Sequence, residues 1–138
     1  MKKYLTTIII SLLLGGLLSY YVLNLNNEDN KIYTIEVLNT FDYNEASKIN
    51  KKYESSMLLQ DNNGYHVILA IYNNIDIINK MLVYYEDNNI DVYLNKIECN
   101  KEFLSKLNKY EDIINNIDNL ELYNDINKNI LNMYKESI

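Results

Sequence analysis

The search for reactive side chains in this chain begins with His66 and Cys99, the only histidine and the only cysteine in 138 residues. They lie 33 positions apart, and His66 falls in a stretch with strand-like alternation. Neither a metal-ligand spacing nor a Cys–His nucleophile pair emerges from that arrangement. An isolated strand histidine reads as a surface residue. Glu98 and Glu102 surround Cys99 with negative charge, which disfavours a thiolate, so Cys99 reads as filler at a strand-to-helix junction. A single cysteine excludes an internal disulfide and any multi-cysteine metal centre. The acid pairs Glu86–Asp87 and Glu111–Asp112 adjoin helical positions and read as solvated faces. Glycines at positions 15, 16 and 64 cannot build a phosphate-cradling loop. The expectation is a protein with no catalytic residue, no metal and no cofactor, and therefore not an enzyme.

Charge narrows the partners. The chain has 13 Lys, no Arg and 19 acids, and every acid lies at Glu28 or later. After residue 27 there are 11 Lys against 19 acids, a net charge of −8. Nucleic acid is excluded as a partner, because phosphate binding needs clustered cations and arginine is its usual bidentate reader. At the other end, Lys2 and Lys3 precede Tyr4 to Leu25, 22 residues without a formal charge. A helix of that length reaches roughly 33 Å, enough for a hydrocarbon core of about 30 Å. The basic flank predicts a cytoplasmic tail, a transmembrane anchor over residues 1–27 and an extracytoplasmic remainder, hence a single-pass cell-membrane protein. The alternative is a cleaved signal peptide, but no Ala-x-Ala-like site follows the apolar run.

The elements that position the remaining side chains appear as a repeat at a spacing of 32 residues. It pairs Tyr33 with Tyr65, Ile35 with Val67, Val37 with Leu69, Ala46 with Ile78, Ile49 with Met81 and Tyr53 with Tyr85. The alternation through Tyr33, Ile35 and Val37, and again through Tyr65, Val67 and Leu69, predicts two strands. Asp42 with Glu45 predicts a capped helix carrying Ala46, Ile49 and Tyr53. Asn73 or Asn74 caps a second helix, and Asn88–Asn89 suits a left-handed stop. Met57 to Gln60 and Ile90 to Leu94 supply one more strand per copy, and Asp61 to Gly64 a tight hairpin. The predicted fold class is α+β: a ferredoxin-like β-α-β-β-α-β domain over residues 31–98, with a four-stranded antiparallel sheet and both helices on one face. Val92 and Leu94 point inward with the first apolar set. Thr34, Glu36, His66, Ile68, Ala70, Asp91 and Tyr93 lie on the opposite face, which this architecture leaves uncovered.

Residues 99–138 predict a helical hairpin. Phe103, Leu104, Leu107, Tyr110, Ile113, Ile114 and Ile117 form one stripe. Asp118 and Glu121 cap a second helix carrying Leu122, Ile126, Ile130 and Met133. These stripes are buried against the sheet domain, against a partner, or in self-association.

Two strand-and-helix copies carry a family likeness. The first reads Tyr33-Thr34-Ile35-Glu36-Val37-Leu38-Asn39-Thr40-Phe41 followed by Asp42 to Ala46, and the second Tyr65-His66-Val67-Ile68-Leu69-Ala70-Ile71-Tyr72 followed by Asn73 to Ile78. From about Ile32 to Glu98 the chain resembles the SPOR (sporulation-related repeat) domain family. That resemblance implies a membrane-anchored, non-catalytic module that binds peptidoglycan glycan strands in cell division or sporulation. Here Glu36 stands where the family often has Gln, Leu38 and Ala70 where it has Gly, and Thr40 in place of an aromatic. On the expected open face, Tyr72 and Tyr93 would stack on sugar rings. Thr34, Glu36 and His66 would bond hydroxyl or acetamido groups beside Ile68. The alternative partner is a protein of a membrane-associated division or sporulation complex, with the domain acting as a structural adaptor.

Overall fold

The computed structural model describes residues 30–117 and 120–138. Ile32–Ile138 forms one compact unit that holds nearly everything described. The elements run β1 (Lys31–Thr40), α1 (Tyr43–Lys52), β2 (Met57–Asp61), β3 (Gly64–Tyr72), α2 (Ile75–Asp87), β4 (Tyr93–Glu98), α3 (Lys101–Asn115) and α4 (Leu120–Ser137). The strands form one sheet in the order β2-β3-β1-β4, with β3 antiparallel to both β1 and β2. The duplicated strand-and-helix pattern therefore closes into a single sheet.

Local chemistry sets the element ends. Asp42 Oδ1 accepts the backbone N–H groups of Asn44 at 2.8 Å and Glu45 at 3.3 Å, capping α1. The reciprocal arm of the expected capping box is rerouted. Thr40 Oγ1 accepts the Asp42 N–H at 3.2 Å and donates to Glu45 Oε2 at 2.8 Å. Asn74 and Asn100 cap α2 and α3 in the ordinary way. Asn89 turns α2 off with φ of 56°, the left-handed stop expected there. In the β2–β3 hairpin the positive φ falls on Gly64 alone, at 122°, where a Cβ would come within 2.7 Å of the Thr40 carbonyl oxygen. The Asp118–Glu121 cap pair expected for α4 lies outside the described residues.

The expected fold class needs correction. It included a membrane-spanning helix, yet among the described residues no helix is long and apolar enough to cross a membrane. The 18-residue α4 carries Asp125, Lys128, Lys135 and Glu136 and is amphipathic. The stretch Tyr4 to Leu25, on which the expectation rested, lies outside the described residues. The fold described is an α+β unit of one four-stranded antiparallel sheet and four helices. The last strand also starts three residues later than expected, at Tyr93, because Asn89 and the bond from Ile90 N–H to the Tyr85 carbonyl prolong the helix stop. Leu94 is consequently exposed rather than inward.

A second difference concerns the sheet face expected to be bare. Thr34, Glu36, His66, Ile68 and Ala70 are all buried. β3 is buried along seven consecutive positions from His66 to Tyr72. The hairpin α3–α4 belongs to the same unit as the sheet and shares its core, where Ile35, Ile71, Ile78, Phe103, Ile114 and Ile130 form part of one cluster. The rings of Phe103 and Tyr134 meet edge to face at 5.1 Å, closing the hairpin.

Candidate functional site

The polar residues singled out in the sequence do come together, but as a buried cluster. Two register irregularities flank Glu36: the pairing passes from Ile35↔Ala70 to Glu36↔Ile68, and then to Leu38↔Val67. Leu69 is thus the extra residue on β3 and Val37 the extra residue on β1, and the two slips compensate. Such bulges re-aim side chains without losing the strand pairing beyond them. Glu36 Oε2 receives a bond from His66 Nδ1 at 2.8 Å. Its Oε1 accepts Thr34 Oγ1 at 2.7 Å and Asn95 Nδ2, from β4, at 3.1 Å. The other ring nitrogen, His66 Nε2, lies 3.0 Å from Asp61 Oδ1. That same oxygen accepts the Asn63 N–H at 2.6 Å, so the hairpin turn holds Asp61 in place.

Both ring nitrogens of His66 face carboxylates, and an ionised carboxylate only accepts. With both acids ionised, both nitrogens carry hydrogen and the ring is an imidazolium. Burial opposes that charge, but hydrogen bonds to Glu36 and then Asp61, together with the charges of the same two groups, outweigh it and raise the His66 pKa. Burial also works against ionisation of Asp61, yet the Asn63 N–H and His66 hold its pKa below the ordinary value. Burial and then the Glu36 charge push the Tyr93 phenol well above its usual pKa. The cluster fastens β1, β3, β4 and the β2–β3 turn to one another.

Glu36 accepts three hydrogen bonds and both nitrogens of His66 are engaged inside the cluster, so these buried groups hold one another in place. Among the described residues, no group of three or more His, Cys, Asp or Glu is arranged to hold a metal ion. Among those residues no buried side-chain polar atom lacks a hydrogen-bond partner.

Ile68 and Tyr72 separate from this group, whereas Tyr93 stays beside Glu36. Ile68 is fully buried in the hydrophobic core. Tyr72 is also fully buried, its hydroxyl donating to Asn127 Oδ1 at 3.4 Å. Tyr93 is 40% exposed and is the one aromatic of the expected sugar platform that solvent reaches.

Two structural polar residues were not expected. Glu111 is buried, and its carboxylate accepts the Asn73 and Asn74 N–H groups at 2.5 and 2.8 Å, which locks α3 onto the start of α2. Burial raises its pKa against those two bonds. Asn127 donates to the Leu69 carbonyl at 2.5 Å, where β3 has run past the end of β2 and that oxygen would otherwise be unpaired. Their spacing offered a clue: Glu111 falls four after Leu107 and three before Ile114, and Asn127 four after Tyr123 and three before Ile130, on the apolar stripes. In comparisons with known proteins, the chain matches no family model, no curated protein and no solved structure.

Proposed function

We propose that this chain is a non-catalytic SPOR-like module that binds peptidoglycan glycan strands and so helps to place a division or sporulation assembly. The observation that carries this reading is the topology. The two repeats lie in β-α-β-β-α-β order, the element order the resemblance implies, and close into one sheet ordered β2-β3-β1-β4. The saturated Glu36–His66 cluster supports binding over chemistry, since it acts as a brace. The test is retention of the full chain on purified sacculi, with and without amidase treatment to strip stem peptides. Stronger retention on the stripped sacculi is expected, and equal, negligible retention on both overturns the reading.

The adaptor reading has one observation in its favour. β4 is an edge strand, and its Tyr93 and Leu94 are 40% and 42% exposed, an apolar edge that another protein could extend. Light scattering of the full chain after size exclusion tests it. A tight oligomer that persists on dilution favours the adaptor, and a monomer favours the tether.

A further inference from the structure

Two depressions meet at Glu54 and Ser55, in the turn between α1 and β2. The larger, about 270 Å³, is walled by Tyr53, Tyr84 and Tyr85, with Asn124 and Asn127 of α4 opposite and Lys52 beside them. The smaller, about 170 Å³, continues along α4 past Lys128, Asn132 and Lys135, with Asn50 and Ser56 on its other side. Together they reach the lower end of the size range of ligand sites, which starts at roughly 300 Å³. The dividing turn is held in place: the Ser56 hydroxyl lies 2.8 Å from the carbonyls of Asn50 and Tyr53. The Tyr84 and Tyr85 rings brace each other edge to face at 5.5 Å.

The charge of this groove runs against that of the chain. Lys52, Lys128 and Lys135 line it with a single acid, Glu54, although the chain as a whole carries −6. Among the described residues the one lysine–carboxylate pair within 4.0 Å is Lys106 with Glu102, on a different helix. Among the described residues no carboxylate lies within 4.0 Å of the groove lysines, and Lys52 Nζ sits over the Tyr53 ring, 5.3 Å from its centroid. Tyrosine offers an amphipathic face, amides both donate and accept, and lysine provides a compact positive charge.

From this combination we infer that the groove binds an anionic saccharide, with a sugar ring against Tyr84, its hydroxyl or acetamido groups on Asn124, and its carboxylate or phosphate between Lys128 and Lys135. The inference rests on the glycan reading above and gives it a site away from the sheet face. The sequence shows neither wall of the groove as a unit, because Tyr53, Tyr84 and Lys128 are far apart along the chain.

Calorimetric titration of the full chain tests it with four probes. These are a carboxylate-bearing tetrasaccharide of alternating N-acetylglucosamine and N-acetylmuramic acid, neutral chitotetraose, inorganic phosphate and hexaglutamate. The expected result is that the carboxylate-bearing tetrasaccharide binds at least tenfold more tightly than each of the others. In the variant Lys128→Gln/Lys135→Gln, whose exposed sites leave the far-UV spectrum unchanged, that preference over chitotetraose disappears. Equal affinity for the two sugars, no binding of either, or an unaffected variant overturns the groove. Tighter binding of hexaglutamate or phosphate overturns the saccharide class. Sacculus retention that survives in the variant alongside an unbound tetrasaccharide sinks the groove and leaves wall attachment standing. Tetrasaccharide binding without sacculus retention sinks wall attachment and leaves the groove.

Discussion

Replacing His66 with leucine strands the Glu36 carboxylate, which has no exposure to solvent, with only the neutral donors Thr34 and Asn95. Removing one partner of a buried ion pair costs about 3–5 kcal/mol. The lower end applies here, because two neutral donors stay on Glu36 and the Asp61 side chain, 41% exposed, can rehydrate. In a domain of about 100 residues each kcal/mol moves the unfolding midpoint by roughly 4–8 °C, so His66→Leu lowers it by roughly 12–24 °C. The double variant Glu36→Leu/His66→Leu removes the charge that would be stranded and recovers most of that loss. The pH dependence has a definite sign. The pKa of His66 is raised from 6.5, so its contribution is full below that value and is lost as pH rises through the raised one. The pKa of Asp61 is lowered from 3.8, so its contribution is full above that value and is lost as pH falls through the lowered one. Thermal melts followed by far-UV circular dichroism, at about pH 5.5 and about pH 9, should show wild type losing more stability than His66→Leu on the alkaline side. A single variant within about 1 kcal/mol of wild type, or parallel pH profiles, would refute the imidazolium brace.

Further outcomes follow from the other polar anchors. Glu111→Ala releases the Asn73 and Asn74 amides and costs about 1.5–3 kcal/mol, with faster hydrogen exchange at those two positions as the local readout. Asn127→Ala leaves the Leu69 carbonyl unpaired and costs about 1–3 kcal/mol in chemical denaturation, whereas Asn132→Ala, at an exposed site on the same helix, changes stability by less than about 0.5 kcal/mol. Gly64→Ala forces a Cβ toward the Thr40 oxygen at a positive φ and destabilises by more than about 1 kcal/mol, measurable as a shift in urea midpoint. Burial raises the pKa of the Cys99 thiol, so iodoacetamide should alkylate it more slowly in the folded chain than after denaturation at the same pH.

Much of the local architecture was legible from residue order. The strand through Tyr33, Ile35 and Val37, the caps at Asp42 and Asn74 and the stop at Asn89 depend on interactions within a few residues and appear where expected, although Thr34 and Glu36 are buried and Tyr33 and Val37 only partly so. The grouping of Thr34, Glu36 and His66 on one face was equally readable, because side chains in a strand alternate with period two. Their burial was not. An alternating strand looks the same whether its polar face meets water or protein, and β3 reads as half-buried although both its faces are covered. Tyr72 shows the same gap: it was expected on a sugar-binding face and instead sits in the core against Asn127, because the bulge at Leu69 and the docking of α4 lie beyond local pattern.

Short-range rules settled which described segments become strands and helices, though not where β4 begins, and that acids outnumber lysines beyond residue 27. Those properties arise from backbone sterics, hydrogen bonds to near neighbours and a count of charges. Assembly alone decided that His66 is clasped between Glu36 and Asp61, that Glu111 and Asn127 serve the interior, and that Tyr53, Tyr84 and Lys128 wall one groove. Each of these relations joins residues distant in the chain or shifted by paired bulges. Its energy depends on desolvation and on contacts that exist only once sheet and helices have packed.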